Sequence, residues 1–355
     1  MKKILIIRTD RLGDLLLSTP VFRAVREGYP DSHISVMVRP YTRECVEGNP
    51  YINEVIVYDK YGNHKSVLSS LRFAGSLRKK RFDMALILHP TNRVNLITFL
   101  AGIPKRVGFN RKFGFLLTHK VAHKKRTDER HELDYALDIV RAIGLTPRIK
   151  TLYMPIKRDV QRKIDSMLCG LGVRATDFVI AIHSSSSCVS KKWPQERFAG
   201  VADRLIDKYD AKIVFIGGED AKDDTKKAMA AMKREAIDLS GRTTIPELAA
   251  LLKRCEAFIS NDSGPVHVAC AVGTPVIAIF GRKDAGLGPK RWGPTGERDK
   301  ILHKDVGCQE CLAHNCTKGF LCLNAIDEDE VINETEYILY NRKRENRRVE
   351  EAVGS

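Results

Sequence analysis

The chain has 355 residues, of which 43% are hydrophobic and 29% are charged. This composition excludes a disordered chain and predicts a folded protein long enough for two domains of ordinary size. No apolar stretch approaches the roughly 20 residues that are needed to cross a bilayer. Arg8 and Asp10 interrupt the apolar start too early for a secretory signal. We therefore expect a cytoplasmic protein.

The net charge of +16 is concentrated in the first half of the chain. Residues 1–150 carry 28 Lys and Arg against 14 Asp and Glu, whereas the remaining residues carry 32 against 30. A basic half indicates a polyanionic partner: nucleic acid, an anionic membrane surface, or a phosphorylated or carboxylated substrate. Nucleic acid is not expected, because no recognition signature for it occurs and aromatic residues do not alternate with the basic clusters. The alternative is a solvated face that only keeps the protein in solution.

Strands and helices alternate along the first half of the chain. The patterns predict strands at 3–8, 33–38, 54–58 and 83–88, and helices at 12–27, 67–79 and 94–101. The predicted strands are continuous Ile, Leu and Val runs without alternation, which is typical of parallel sheets buried on both faces.

The same alternation begins again after residue 155. It predicts strands at 178–182, 212–216, 257–259 and 275–280, and helices at 160–171, 195–208, 225–234 and 245–254. The repetition predicts an α/β protein with two Rossmann-like domains, whose parallel sheets face a cleft where ligands bind at the carboxyl ends of the strands. We place the N-terminal domain at 1–158, the C-terminal domain at 159–328 and a charged helical tail at 329–355.

The loop 8–14 follows the first predicted strand and opens a helix. Acidic residues stand where a dinucleotide-binding fingerprint would have glycines, so an NAD-dependent oxidoreductase is disfavoured. Asp14 lies at the helix start, where the amide dipoles are expected to keep it ionised as a candidate general base. Asp10, Arg11 and Gly13 complete this candidate acceptor loop. The alternative is that Asp14 or Asp10 only caps the helix.

A second strand-to-helix junction follows the apolar run 257–259. Ser263 is expected to cap the helix that begins near Gly264, and Asp262 and His267 flank this start. Such a junction directs unpaired N–H groups and the positive end of the helix dipole at one place, which favours a phosphate. A nucleotide-diphosphate site is the leading interpretation, and an ordinary turn with a surface histidine is the alternative.

Two further loops are expected to border the same site. The loop 183–187 is rich in hydroxyl groups, including Ser185, and leads to Lys191, which can supply a positive charge to a phosphate. Trp193 more commonly acts as a packing anchor. Glu219 follows another predicted strand and either binds sugar hydroxyls or is solvated.

Four cysteines are crowded near the end of the second half: Cys308, Cys311, Cys316 and Cys322. Their number and approximate spacing suit a structural zinc site. Reduced packing cysteines and disulfides are the alternatives, and the reduced state is favoured over zinc.

Together, these segments resemble glycosyltransferase family 9, the bacterial heptosyltransferases of the lipopolysaccharide inner core. The resemblance rests on RTDRLGDLLLSTP at 8–20, KKWPQERF at 191–198, NDSGPVHVACAVGTPVIAIFG at 261–281, and the cysteine-rich 308–326. It implies a GT-B fold and inverting transfer of L-glycero-D-manno-heptose from its ADP-activated form to an inner-core Kdo or heptose.

The resemblance also implies roles for individual residues. Asp14 corresponds to the general base, Lys191 to the lysine on the donor phosphate, and Glu219 loosely to a donor contact. The residues that correspond to the diphosphate and ribose motif are Asp262, Ser263, Gly264 and His267. No cofactor is expected beyond the nucleotide-sugar co-substrate, and catalysis is expected to be independent of metal. The basic first half would dock the acidic acceptor and the anionic inner face of the cytoplasmic membrane, as a peripheral protein.

Two other interpretations remain open. One is a GT-B enzyme that uses a different nucleotide-sugar, as a transferase or an epimerase. The other is a protein that binds a nucleotide-sugar without turnover.

Overall fold

In the computed structural model, which describes residues 1–125, 129–284 and 286–353 and side chains as far as 341, strands and helices alternate through two units, Met1–Pro155 and Ile156–Ser355. The last two residues of the predicted tail lie outside the described residues.

The first unit contains a six-stranded parallel sheet of order β3-β2-β1-β4-β5-β6. Its strands are β1 (Lys3–Ile7), β2 (His33–Val38), β3 (Glu54–Val57), β4 (Met84–Ile87), β5 (Lys105–Phe109) and β6 (His119–Val121). Its helices are α1 (Leu12–Leu16), α2 (Thr19–Gly28), α3 (Val67–Lys80), α4 (Asn92–Leu100) and α5 (Glu132–Arg141). The sheet is apolar on both faces, because helices cover both sides of a parallel sheet.

The single helix predicted at 12–27 is wrong, because the chain breaks it into α1 and α2. Pro20 has no N–H to donate and its ring clashes with the carbonyl four residues earlier, in Leu16. The chain therefore restarts the helix, with Pro20 in its first turn. Because of this break, the helix that follows the β1 loop, α1, is only five residues long.

The second unit contains a six-stranded parallel sheet of order β12-β11-β10-β7-β8-β9. Its strands are β7 (Val179–His183), β8 (Lys212–Phe215), β9 (Ile237–Asp238), β10 (Ala257–Asn261), β11 (Val276–Phe280) and β12 (Lys300–His303). Its helices are α6 (Arg158–Gly170), α7 (Gln195–Tyr209), α8 (Lys222–Ala231), α9 (Ile245–Arg254), α10 (Gly264–Val272), α11 (Pro289–Trp292), α12 (Leu321–Asn324) and α13 (Glu328–Val353). The predicted α/β class with two parallel sheets is confirmed.

The last helix, α13, packs against α7. Its side chains Val331, Ile332, Ile338 and Leu339 are buried in the same core as the strands of the second sheet. Burying four apolar side chains stabilises this helix by several kcal/mol, at about 1.5–3 kcal/mol each. Within the described ranges, no helix is both long enough and apolar enough to pass through a membrane.

Candidate active site

Arg8 lies at the carboxyl end of β1 and holds three carboxylates. Only 2% of its side chain is exposed. Its Nε donates to Asp10 Oδ1 at 2.9 Å, and its Nη2 donates to Asp14 Oδ1 at 2.6 Å. The same Nη2 donates to Glu132 Oε1 at 3.2 Å, although Glu132 lies 124 residues further along the chain. These four residues form the carboxylate cluster of the first unit.

Sequence reasoning missed Arg8 and Glu132 as members of this site. Glu132 is 1% exposed and also pairs with Lys125. A buried glutamate in the first turn of α5 offers no local signal in the sequence, because its partner is contributed by β1. For Arg8 there was one signal in the sequence: a charged residue directly after an apolar strand is rarely buried unless it is paired.

The balance of charge in the cluster makes Asp14 a better proton acceptor than an ordinary aspartate. Three carboxylates share the positive charges of Arg8 and Lys125. Burial raises the pKa of Asp14, the negative charges of Asp10 and Glu132 raise it further, and Arg8 opposes them. Asp14 lies in the first turn of α1, as expected, but α1 has only five residues, and burial has a larger effect on the pKa of Asp14 than any other cause.

Neither acidic residue of the loop caps α1. Arg11 occupies the cap position, with its side chain exposed and without a capping bond. Gly13 and Asp14 lie within the first turn of α1. The carbonyl of Asp10 accepts from Tyr41 at 3.1 Å, which ties the loop to the segment after β2.

His89 is a second group near the cluster that sequence reasoning missed. It follows the carboxyl end of β4, the strand that pairs with β1. Burial, together with the positive charge of Arg8, lowers the pKa of His89 to about 4, so the ring is neutral at pH 7. Its buried Nδ1 meets no protein partner among the described residues, so this nitrogen is available to a ligand beside Asp14.

In the second unit, Asp262 joins two basic side chains at the carboxyl end of β10. Its Oδ2 pairs with Lys191 Nζ at 2.8 Å and accepts from Arg282 Nη2 at 3.3 Å. Arg282 follows β11, the neighbouring strand, and is 6% exposed. Sequence reasoning identified Asp262 and Lys191 but missed Arg282, whose place in the site follows from the strand order.

Ser263 stands at the cap position of α10, but the expectation that it caps the helix is wrong. Its hydroxyl instead lies 3.0 Å from His183 Nδ1 and 3.1 Å from the Ser260 hydroxyl, with no side-chain cap bond at α10. The amides of the first turn, which begins at Gly264, are therefore not capped by a described side chain, which is the arrangement that binds anions. His267 is buried in the next turn, so the alternative of a surface histidine is also wrong.

Hydrogen bonds of buried residues hold the loop after β7 and the segment before α7 next to the start of α10. Asn261 accepts from the Trp193 backbone N–H at 3.0 Å and donates to the Ser184 carbonyl at 2.8 Å. Trp193 is wholly buried and its indole donates to Ile326, as expected of a packing anchor. Ser185 donates to Asp224 at 2.6 Å, so its hydroxyl helps to hold the loop in place.

Two neighbouring hydroxyls of the loop after β7 have no protein partner among the described residues. The Oγ atoms of Ser184 and Ser186 are buried and find no hydrogen-bond partner in the described part of the chain. Buried polar groups are normally satisfied, so such atoms are often completed by a ligand or by water. Each hydroxyl is therefore able to donate to a ligand oxygen.

Glu219 lies after β8 and is largely solvated. Its side chain is 76% exposed and pairs with Lys222 at 2.6 Å. Gly217 beside it has a structural reason to be glycine, since a Cβ there would stand 2.3 Å from the Ala221 Cβ. The close approach lets the β8 loop pack on the His183 ring.

The four crowded cysteines line one cavity of about 70 Å³, beside Gly281 and Arg282. All four are free thiols, and Cys322 Sγ donates to the Gly281 carbonyl at 2.6 Å. Within the described ranges, no three side chains form a group able to hold a metal ion. In the described part of the chain these four cysteines are therefore free thiols around one cavity, without a disulfide between them.

The profile of glycosyltransferase family 9 (heptosyltransferase) matches residues 70–321, which is more than half of the chain. The chain belongs to glycosyltransferase family 9. It is therefore an enzyme of the glycosyltransferase class. The match includes Lys191, Asp262 and Arg282, while Arg8 and Asp14 lie before it.

Known relatives extend the likeness to nearly the full chain. Lipopolysaccharide heptosyltransferase 2 of Escherichia coli K12 is 26% identical over 330 residues, covering 90% of this chain and 92% of that protein. A glycosyl transferase family 9 structure from Veillonella parvula DSM 2008 superposes with a TM-score of 0.86 at 28% identity, over 96% of this chain and 98% of that one. The E. coli ADP-heptose heptosyltransferase II structure gives a TM-score of 0.78 at 23% identity, over 97% and 100%. The predicted GT-B fold class is confirmed.

Proposed function

We propose that this enzyme transfers a heptose from ADP-L-glycero-D-manno-heptose to a Kdo or heptose of the lipopolysaccharide inner core, with inversion at the anomeric carbon. Two of the relatives named above, both from E. coli, are heptosyltransferases of lipopolysaccharide, and one of these two is described with ADP-heptose. The observation that carries the proposal is the uncapped start of α10, with Lys191 and Arg282 beside it.

The donor diphosphate would lie at the start of α10. The first-turn amides near Gly264 would donate to phosphate oxygens, and Lys191 would exchange part of its contact with Asp262 for the phosphate. The hydroxyls of Ser184 and Ser186, which lack protein partners among the described residues, would complete the contacts. Ser263 and His267 would shape the ribose side of the pocket. Glu219, exposed on its loop, is proposed as a contact of the donor at the rim.

The chemical step requires a base and a stabilised leaving group. The acceptor hydroxyl attacks the anomeric carbon from the face opposite the diphosphate, and its proton passes to Asp14 as the new C–O bond forms and the bond to the diphosphate breaks. A raised pKa suits Asp14 to this role, because it makes the carboxylate a stronger base. ADP leaves with its charge stabilised by the α10 amides and Lys191. These groups supply the positive charge that a divalent metal provides elsewhere.

The acceptor would be held by the first unit. Inner-core acceptors carry carboxylates and phosphates, and residues 1–150 have a net charge of +14 to attract them. Asp10, Arg11 and Gly13 surround Asp14 in the loop after β1 and are proposed to line this site. We place the enzyme at the inner face of the cytoplasmic membrane, where such acceptors are anchored.

Transfer assays with defined substrates test this proposal. Purified enzyme is incubated with ADP-heptose, UDP-sugars or GDP-sugars and a Kdo-bearing acceptor, and the products are identified by mass spectrometry. We expect transfer from ADP-heptose alone, with Asp14→Asn lowering kcat by about 10²–10⁴-fold and leaving the Kd for ADP unchanged. Asp31→Asn, an exposed residue, serves as the matched control.

Other results would contradict the proposal. Transfer from a UDP- or GDP-sugar instead would identify a different donor, and epimerised free nucleotide-sugar would identify an epimerase. Donor binding without any turnover would identify a binding protein. Full activity of Asp14→Asn would remove the assigned base.

A further inference from the structure

The outer face of α3, α4 and the turn after β5 exposes apolar side chains to solvent. The turn is a short 3-10 helix, Gly114–Leu116. Phe115 is 72% exposed and Val67 is 75% exposed. The exposed apolar residues of this face are Val67, Leu68 and Leu71 on α3, Leu96, Phe99 and Leu100 on α4, and Phe113 and Phe115 at the turn. We call these eight residues the apolar face.

The apolar face is held together by specific contacts. The rings of Phe113 and Phe115 lie 5.6 Å apart, and the Phe113 N–H donates to Asn92 Oδ1 at 3.2 Å. Arg106 lies 5.5 Å from the centre of the Phe99 ring and donates through Nε to the Leu116 carbonyl at 2.8 Å. Since α4 packs against both α3 and the turn, the three elements that carry the apolar face are neighbours in the first unit.

The segment that carries the apolar face is strongly basic. Residues 60–125 contain 15 Lys and Arg and a single acidic residue, Asp83. That carboxylate accepts from the Lys3 backbone N–H at 2.7 Å. At the far ends of α3 and α4, Arg78, Lys79 and Arg81 line an open concavity of about 670 Å³. A surface that only keeps a protein in solution needs no exposed phenylalanines and carries both signs of charge.

We infer that the apolar face docks the enzyme on an anionic lipid bilayer, with the Phe113–Phe115 turn inserted among the acyl chains. Amphipathic surfaces with aromatic residues and a basic rim lie about 5–10 Å deep in the boundary between headgroups and acyl chains. The basic rim would contact lipid phosphates, which attract Lys and Arg close to the membrane surface. A bilayer supplies both the negative surface and the apolar interior that this combination matches, whereas a nucleic acid offers no acyl layer for the exposed leucines.

The position of the turn within the first unit suits delivery of a lipid-anchored acceptor, and this point rests on the proposed function. Phe113 and Phe115 follow the carboxyl end of β5, and the carboxylate cluster follows the carboxyl end of β1. In the strand order β1-β4-β5, the two ends lie at the same edge and two strands apart, which is roughly 10 Å. The contact of Phe113 with Asn92, at the start of α4, keeps the beginning of the turn at this edge, so a membrane anchor at Phe113 would lie on the same edge of the sheet as Asp14.

Vesicle flotation tests the docking surface without depending on catalysis. Enzyme is mixed with vesicles of phosphatidylcholine containing 30% phosphatidylglycerol, or of phosphatidylcholine alone, and the bound fraction is measured against lipid concentration. We expect binding to the anionic vesicles at low salt, and loss of most binding on neutral vesicles or at high salt. The double variant Phe113→Ser/Phe115→Ser should lower the partition coefficient at least tenfold.

Matched variants separate the face from general surface properties. Leu321→Ser removes an exposed apolar side chain of the second unit, and Lys226→Glu reverses an exposed charge there. Both should bind as the unmodified enzyme does, whereas Lys79→Glu should weaken binding several-fold.

The outcomes distinguish docking from catalysis and from other partners. The serine double variant should keep transferase activity on a water-soluble, deacylated acceptor and lose it on acceptor embedded in vesicles. The inference is overturned if anionic vesicles are not bound, or if the double variant and Leu321→Ser bind equally well. It is also overturned if ultracentrifugation shows a dimer that the double variant dissociates, because the face would then pair two copies of the chain. If the unmodified enzyme has no activity on the soluble acceptor, the proposed function is contradicted, but the vesicle-binding result still decides the docking surface.

Discussion

Replacing Glu132 by glutamine should lower the pKa of Asp14 and move the acidic limb of the pH–rate profile to lower pH. Both carboxylates accept from the same nitrogen, Arg8 Nη2, at 2.6 and 3.2 Å. Their oxygens are therefore no more than about 5.8 Å apart (2.6 + 3.2). Glutamine keeps the shape of the side chain and removes its charge.

The size of the shift follows from Coulomb's law. At 5.8 Å two unit charges repel by about 3 kcal/mol at an effective dielectric constant of 20 and by about 0.7 kcal/mol in water. These limits correspond to about 2 and about 0.5 pKa units. Without Glu132, Arg8 is also shared by two carboxylates instead of three, which again favours the ionised form of Asp14. Both effects have the same sign, so Asp14 stays deprotonated to a pH about 0.5–2 units lower.

The assay is kcat/KM for heptosyl transfer from pH 4 to 9. The plateau should also fall, because a base with a lower pKa accepts the proton less readily. Asp134→Asn is the matched control, because Asp134 lies in the same turn of α5 as Glu132 but pairs with Lys150, at 2.7 Å, and not with Arg8. It removes one carboxylate charge and should leave the acidic limb where it is. Asp10→Asn should shift the limb in the same direction as Glu132→Gln, because the Asp10 charge also raises the pKa of Asp14. The electrostatic reasoning would be refuted if the acidic limb of both variants stayed at the same pH or moved to higher pH while their thermal stability was unchanged.

Three further predictions concern the second unit. Lys191→Met should raise the Kd for ADP about 10–100-fold, since a charged hydrogen bond is worth about 1.5–3 kcal/mol; calorimetric titration beside Lys226→Met measures this, and an equal loss in both would contradict it. EDTA should leave the initial rate unchanged, because Lys191 and the α10 amides provide the positive charge, and activity restored by magnesium or manganese would show the opposite. Trp193→Phe should lower the free energy of unfolding by about 0.5–1.5 kcal/mol in urea denaturation, because the indole hydrogen bond to the Ile326 carbonyl is lost while Arg197 still donates to that oxygen; an unchanged midpoint would show that the indole bond adds no stability.

Much of this enzyme can be predicted from local sequence. Continuous apolar runs followed by turn and helix signals predict parallel strands, and such strands carry their ligands at their carboxyl ends. This rule located Asp14 after β1 and Asp262 after β10 without knowledge of the strand order. The packing role of Trp193 also follows from its residue type, because a large aromatic side chain is most often buried.

The electrostatic partners were decided by tertiary structure alone. Arg8 meets Glu132 only because α5 packs on β4, the strand that pairs with β1, and Arg282 meets Asp262 only because β11 pairs with β10. The hydrogen bond of the Ser263 hydroxyl is also non-local, because this hydroxyl bonds to His183 on β7 and not to an amide at the start of α10. Strand and helix preferences depend on a residue's near neighbours, whereas a pKa depends on every charge within several ångströms. Sequence therefore determined where the functional side chains stand, and the fold decided which charges surround them.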